Sequence, residues 1–433
     1  MIRARPTLGR VLDEIRGLLP ELLAENGVPG AAVAVDVGGE VAEATAGVLN
    51  IATGVEATAD SLFQIGSITK VLTATLVMQL VHEGKVDLDA QVRTYLPGFR
   101  PATVRQLMCH VAGFEGDVFT DTGKGDDCLA AYVGLLGEVP QIFEPGEMFS
   151  YNNAGFCVLG RIVEVVRGRP FDACMRDHLF TPLGMTHAAS DPYEAILHRT
   201  AVGHLGGAPT TVWAMARSNA PAGSMLAMTA RDLLAFARMH LADDRFLPML
   251  RPQVALPDIG WGTAWGLGWE LYDLPGGLVY GHDGNTIGQS AILRVDPARD
   301  MAVVILTNGG SPRPLVKEIV GRLMELPEDP VPDPARHVDA ARYVGTYVSS
   351  TSRTTVSADG QGRLWLDHVP LGVLAELDEE PYRTELLAWR GDALIPAEPG
   401  RGPVAFVGDD GTGRARFLHT GRADVRSAGR IAS

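Results

Sequence analysis

Lysine is nearly missing from this chain. Of its 37 lysine and arginine residues only Lys70, Lys85, Lys124 and Lys317 are lysine. Arginine keeps its proton at any ordinary pH, whereas a desolvated lysine can release it, so a lysine inside an apolar run raises a chemical question. Cysteine is scarce too. Cys109, Cys128, Cys157 and Cys174 are scattered without a CxxC pair and read as buried, reduced thiols of a cytoplasmic protein. There is no HExxH or other close histidine pair, so neither a metal nor a cofactor is expected. No run is long and apolar enough to span a bilayer. The N-terminal stretch MIRARPTLGRVLDEIRGLLPELLAENG has charges among its apolar positions and reads as an amphipathic helix, not a signal peptide. Positive charge is short overall. A net charge of -15 repels phosphates and anionic membranes, so neither nucleic acid nor a membrane is an expected partner.

What is present is the composition of a folded globular protein, 46% hydrophobic and 21% charged over 433 residues. That length implies two or three packed units. GAAVAVDVGGEVAEATAGVLN reads as a hairpin turned at Gly38-Gly39. A helix is expected from Ser67 to about His82, with Val71, Leu72, Leu76, Val77 and Leu80 on one apolar face. From Val86 to about Asp243 the pattern is mostly helical, and strand character returns from Ala264. The expected fold class is therefore α/β: an antiparallel sheet flanked by helices, with a large helical insertion. Its α/β part would cover about 1–85 and 244–328, and its helical part about 86–243. The proline-rich PEDPVPDPARH marks a linker at 329–337. Beyond it, 338–433 alternates short strand-like runs with Gly- and Asp-containing turns, as a small all-β barrel would. The final stretch GRADVRSAGRIAS reads as a frayed terminus.

Lys70 stands three residues after Ser67 in FQIGSITK, the one Ser-x-x-Lys match in the chain. At a helix start the serine oxygen lies near unpaired N–H groups, and a residue three positions on returns to the same face. Burial there disfavours an ammonium and tunes lysine toward a base. A second element, EPGEMFSYNNAGFCVLG, brings Tyr151, Asn152 and Asn153 to the start of an apolar helix. A third, VYGHDGNTIGQSAILRVD, puts His282-Asp283-Gly284 at a strand end, where a glycine lets a substrate backbone lie close. Each has a plain structural alternative: a helix cap with a snorkelling lysine, a tyrosine stapling a helix start, a turn beside a histidine.

In order and spacing these elements, with ATVRQLMCHVAGF, LFTPLGMTHA, PAGSMLAMTARDLLAFA and WGLGWELY, resemble class C β-lactamases and penicillin-binding proteins. The likeness extends to their related esterases, D-aminopeptidases and penicillin-binding-protein-type thioesterases, and it runs from about Val28 to Leu326. It implies a β-lactamase/transpeptidase-like fold over 1–328 and the following roles: Ser67 as nucleophile, Lys70 as its base, Tyr151 as second base and leaving-group acid. Asn153 would bind the acyl-side amide, His282 and Gly284 would line the site, and the backbone N–H groups of Ser67 and Asn285 would form the oxyanion hole. The C-terminal part resembles, in architecture, the lipocalin-like barrels of some of these relatives, where the barrel can shape the site.

Two departures from the family pattern matter. Where β-lactamases carry Lys-Thr-Gly, this chain has His282 and Asp283. A neutral histidine beside an aspartate would hold a carboxylate poorly, so penicillins and D-Ala-terminated peptides are not the expected substrates. The absence of a signal peptide points the same way. CHVAGF replaces the more usual His-Thr-Ser-Gly, and His110 is assigned no chemistry. Three functions follow. The first is a cytoplasmic serine hydrolase acting on an ester or amide of a small-molecule or peptidyl substrate, with a D-amino-acid or small peptide derivative as the candidate, through acyl-Ser67. The second is a transacylase or peptide-cyclising thioesterase using the same acyl-enzyme. The third is a non-catalytic scaffold.

Overall fold

The computed structural model describes residues 8–376 and 379–427. The first seven residues of the expected amphipathic helix and the last six of the tail lie outside the described residues. Helix α1 (Leu8–Glu25) buries Val11, Leu12, Ile15, Leu19 and Leu23, the three- and four-residue spacing of a one-sided helix. Strands β1 (Gly30–Val37) and β2 (Glu40–Asn50) form the expected hairpin. Gly38 and Gly39 both have positive φ, +62° and +87°, as a tight turn between right-twisted strands requires.

Four further strands complete the body of the sheet: β3 (Glu270–Leu274), β4 (Gly277–Asn285), β5 (Ser290–Asp296) and β6 (Met301–Thr307). Their order is β2-β1-β6-β5-β4-β3, antiparallel throughout, with two-residue strands extending both edges. Because β1 pairs with β6, the two ends of this unit share one sheet and everything between Glu56 and Val254 is inserted into it. Alternate residues of β1 serve opposite faces. Val33 and Val35 pack toward α1 and α5 (Pro312–Leu323), while Ala32 and Ala34 pack toward the insertion.

The insertion holds α2 (Thr69–His82), α3 (Asn153–Arg167) and α4 (Ala230–Ala242). It is less helical than expected, since 115–127 contains neither helix nor strand. That run, EGDVFTDTGKGDD, is rich in residues that favour turns over helix. Helix α2 is buried nearly all round, Lys70 and three threonines included, and does not present the single apolar face expected of it. It packs against α3, while α4 lies on β1 and β6. No helix among the described residues is long and apolar enough to cross a membrane.

Eight consecutive strands close into an antiparallel barrel: β7 (Gly345–Val348), β8 (Ser352–Ala358), β9 (Leu364–Pro370), β10 (Tyr382–Ala388), β11 (Ala393–Pro396), β12 (Val404–Val407), β13 (Phe417–His419) and β14 (Ala423–Arg426). Its interior is filled by Tyr347, Val356, Leu366, Phe406, Leu418 and neighbours, as eight short strands allow. The tail read as frayed is in fact structural through Arg426, because β14 pairs with both β13 and β7 and so closes the barrel. The barrel docks on the larger unit through Phe417 and Ala423 against Phe143, and through Ala393 and Ala405 against Ile259.

Candidate active site

Gly66–Ile68 form a tight 3-10 turn and α2 follows from Thr69, two residues later than expected. Ser67 and Lys70 nevertheless share a face. Lys70 Nζ donates to Ser67 Oγ at 2.9 Å and to the Ala222 carbonyl at 2.6 Å. The ammonium stem is fully buried, and that burial drives the lysine down from 10.5 to about 7. A neutral amine can therefore face the serine near neutrality.

Glycines bring the backbone of β4 against this turn. A Cβ on Gly284 would stand 1.9 Å from the Ile65 carbonyl oxygen and 3.1 Å from the Ser67 nitrogen, and one on Gly66 would meet the Asn285 nitrogen at 2.6 Å. No side chain fits at either place, so the Ser67 and Asn285 amides sit side by side. Strand β3 stops pairing with β4 at Glu270 and Gly281. His282 to Asn285 therefore run on without a partner on that edge, where an extended substrate could lie.

Tyr151 and Asn153 arrive from the start of α3. Asn152 is the cap: its side-chain oxygen accepts the Gly155 N–H at 2.6 Å. That leaves the Asn153 amide free for the site, where its Nδ2 donates to Asp117 at 2.7 Å. The Tyr151 ring centroid is 4.9 Å from Lys70 Nζ. Its hydroxyl makes no hydrogen bond of good geometry, although burial, which raises its pKa, is partly offset by the nearby Ser67 hydroxyl. Trp261 and Trp265 pack edge-on behind Tyr151, both at 5.9 Å, whereas Trp269 lies in the core against His240.

His282 is neutral. Burial and then Lys70 lower its pKa to about 3. Its Nδ1 faces the Asp283 carbonyl at 2.6 Å and must donate to it, leaving Nε2 as a bare acceptor. The expectation for Asp283 needs correction. Its carboxylate is paired with Arg294, because alternation along β4 turns it to the face opposite His282. Paired in this way, it acts on the site only as a minor charge on His282.

The sequence reading missed Arg422 and Asp117. Arg422, on the β13–β14 turn, forks onto both oxygens of Asp117 across 305 positions and lies 5.2 Å over the Tyr151 ring. The same hairpin grips the tyrosine segment. The Gly421 carbonyl accepts the Tyr151 N–H at 2.9 Å, His419 Nε2 donates to the Phe149 carbonyl at 2.8 Å, and Ala423 N–H donates to Ser150 Oγ at 3.1 Å. The barrel is thus part of the site wall. No local pattern marks Arg422, since its position follows from barrel closure.

The family model described as Beta-lactamase matches residues 15–323. Penicillin-binding protein 4 of Amycolatopsis lactamdurans is 43% identical over 363 residues, covering 75% of this chain and 94% of that protein. The crystal structure of SurE superposes with a TM-score of 0.80 at 30% identity, over 97% of this chain and all of the other, and SurE with D-Leu gives 0.79. The D-amino acid amidase of Ochrobactrum anthropi SV3, in complex with L-phenylalanine, gives 0.62 at 26% identity over 72% of this chain and 97% of its own.

Proposed function

The chain belongs to the beta-lactamase family of serine hydrolases, and on that premise we propose that it transfers acyl groups through a covalent ester at Ser67. The observation that carries the reading is the buried Lys70 amine, 2.9 Å from Ser67 Oγ and lowered to about 7. Neutral Lys70 takes the Ser67 proton as the oxygen attacks the acyl carbonyl. The oxyanion forms between the Ser67 and Asn285 amides, two fixed donors in a partly dry site. As the tetrahedral adduct collapses, Tyr151 gives its proton to the leaving group and takes back from Lys70 the proton that Lys70 accepted from Ser67. Water, or an amine, then attacks the ester by the same steps in reverse.

Asn153 binds the acyl-side amide. His282 and Gly284 border the strand edge along which the substrate lies. A neutral His282 cannot attract a carboxylate, and Arg422, 5.2 Å over the Tyr151 ring with Nη1 unused by Asp117, is the cation proposed to receive one. The acyl group is proposed to be a D-configured aminoacyl or peptidyl ester or amide. The likeness to SurE, solved with D-Leu, and to a D-amino acid amidase supports this.

The test is turnover of paired D- and L-aminoacyl nitrophenyl esters and amides, with and without an added amine. A preference of about tenfold or more in kcat/KM for the D series supports the substrate proposal, about 1.4 kcal/mol of discrimination. Equal rates would refute it, and the ratio of hydrolysis to aminolysis product identifies the acceptor.

A further inference from the structure

His110 is conformationally odd. It follows the short helix Val104–Met108 and adopts φ +57°, a left-handed conformation that favours glycine or asparagine and costs other residues free energy. The side chain is wholly buried. Strain of this kind is retained where the surroundings use it, and here the surroundings are the tyrosine segment. The His110 carbonyl accepts the Ser150 N–H at 2.8 Å. Its Nδ1 accepts the Asn152 N–H, also at 2.8 Å. Between those two residues, the Tyr151 ring stacks on the imidazole at 4.3 Å with the planes 28° apart.

The imidazole is itself immobilised, by Phe156 of α3 at 4.9 Å and Trp265 edge-on at 5.0 Å. Its tautomer is fixed as well, since a nitrogen that accepts the Asn152 amide carries no proton and the ring proton must be on Nε2. The remaining backbone donor of the segment, the Tyr151 N–H, goes to Gly421 of the barrel. His110 therefore holds the amides on either side of the tyrosine while its ring fixes the plane of the phenol.

We propose that His110 is the positioning residue for Tyr151, directing the phenol at Ser67 and the leaving group. This rests on the assignment of Tyr151 as leaving-group acid. An aligned acid matters most where the departing atom needs a proton: an amide nitrogen does, a nitrophenolate does not. A misplacement of about 1 Å at such a group costs on the order of a hundredfold.

Two variants separate the parts. His110→Asn accommodates the left-handed backbone and keeps an acceptor but removes the ring. His110→Phe keeps a ring and removes the acceptor. Both are compared with Tyr151→Phe on an amide and a nitrophenyl ester of the same acyl group, with melting temperature as the check on folding. The expected result for each folded variant is amide kcat lower by about 10- to 100-fold, ester kcat within about threefold, and little change in KM. Amide and ester falling together, or neither falling, while Tyr151→Phe separates them, would overturn the positioning role alone. If Tyr151→Phe also treats the two substrates alike, the acid assignment fails and the positioning role falls with it.

Discussion

Replacing Lys70 with methionine should abolish acylation and yet make the protein more stable at low pH. The lysine is wholly buried and its pKa falls from 10.5 to about 7, a difference of 10.5 − 7 = 3.5. At 1.36 kcal/mol per unit this is a folding cost of about 5 kcal/mol when the group is charged in both states. Methionine matches the length and is apolar, so it removes that cost, but it leaves Ser67 Oγ and the Ala222 carbonyl without their donor. The buried Ala222 carbonyl costs about 1–3 kcal/mol and the half-buried Ser67 hydroxyl about 1 kcal/mol, together about 2–4 against about 5, leaving a net gain of about 1–3 kcal/mol below pH 7. The sign then changes with pH. Between about 7 and 10.5 the unfolded lysine holds a proton that the folded one has released. Wild-type stability therefore climbs through this window relative to the variant. Toward pH 10 only the lost hydrogen bonds remain and the methionine variant becomes the weaker protein. The assay is the urea midpoint of both proteins at about pH 6, 8 and 9.5, followed by tryptophan fluorescence. Lys70 also depresses His282 and His110, but burial is the larger cause for both, so the pH dependence of the difference reports chiefly the lysine. A difference that does not vary with pH would refute the reasoning about the buried amine.

Three further outcomes follow from the same geometry. Lys70→Arg keeps a permanent charge in the buried site and should be less stable than wild type above pH 7, and its folded fraction should lose about 10²–10⁴ in kcat/KM, since arginine cannot serve as a base; wild-type kcat/KM should fall about tenfold per pH unit below the lysine value of about 7, and a flat profile from pH 5 to about 8 would contradict this. Gly284→Ala should cost more than about a hundredfold in acylation rate, because its Cβ would meet the Ile65 carbonyl at 1.9 Å and push Asn285 away from Ser67; unchanged single-turnover kinetics would show that the two amides are not the oxyanion donors. Arg422→Ala should raise KM several-fold for substrates with a carboxylate on the leaving group and should also lower the melting temperature, because it strips the buried Asp117 carboxylate of its charge partner; KM values that rise equally for carboxylate and neutral leaving groups would argue against a carboxylate contact.

How much of this was legible in the sequence depends on the range of each interaction. Ser67 and Lys70 are three residues apart, so helical geometry alone placed them together, even though the turn at Ser67 proved tighter than an α-helix. The β1–β2 hairpin was legible for the same reason, since Gly38-Gly39 specifies its own turn. The sheet order needed the resemblance to known proteins, because nothing local tells β1 to pair with β6. Asp283 was misjudged because its role depends on which face of β4 it occupies and on Arg294 across the strand. Arg422 was out of reach altogether: four residues of β14 contain only Ala423 and Val425 as apolar signal, too little to distinguish a closing strand from a loose end. His110 left only a departure from the usual family motif, and its left-handed backbone is a fact of the fold.

The central claim is a covalent acyl group on Ser67 formed with the help of a neutral lysine. Intact-protein mass after incubation with a D-aminoacyl nitrophenyl ester, on wild type and Ser67→Ala, tests it most directly, followed by peptide mapping of the adduct. The account predicts a mass increase equal to one acyl group on wild type alone, mapped to the peptide containing Ser67 and forming more slowly as pH drops below about 7. Turnover without any adduct at the shortest accessible times, or an adduct that persists in Ser67→Ala, would contradict it.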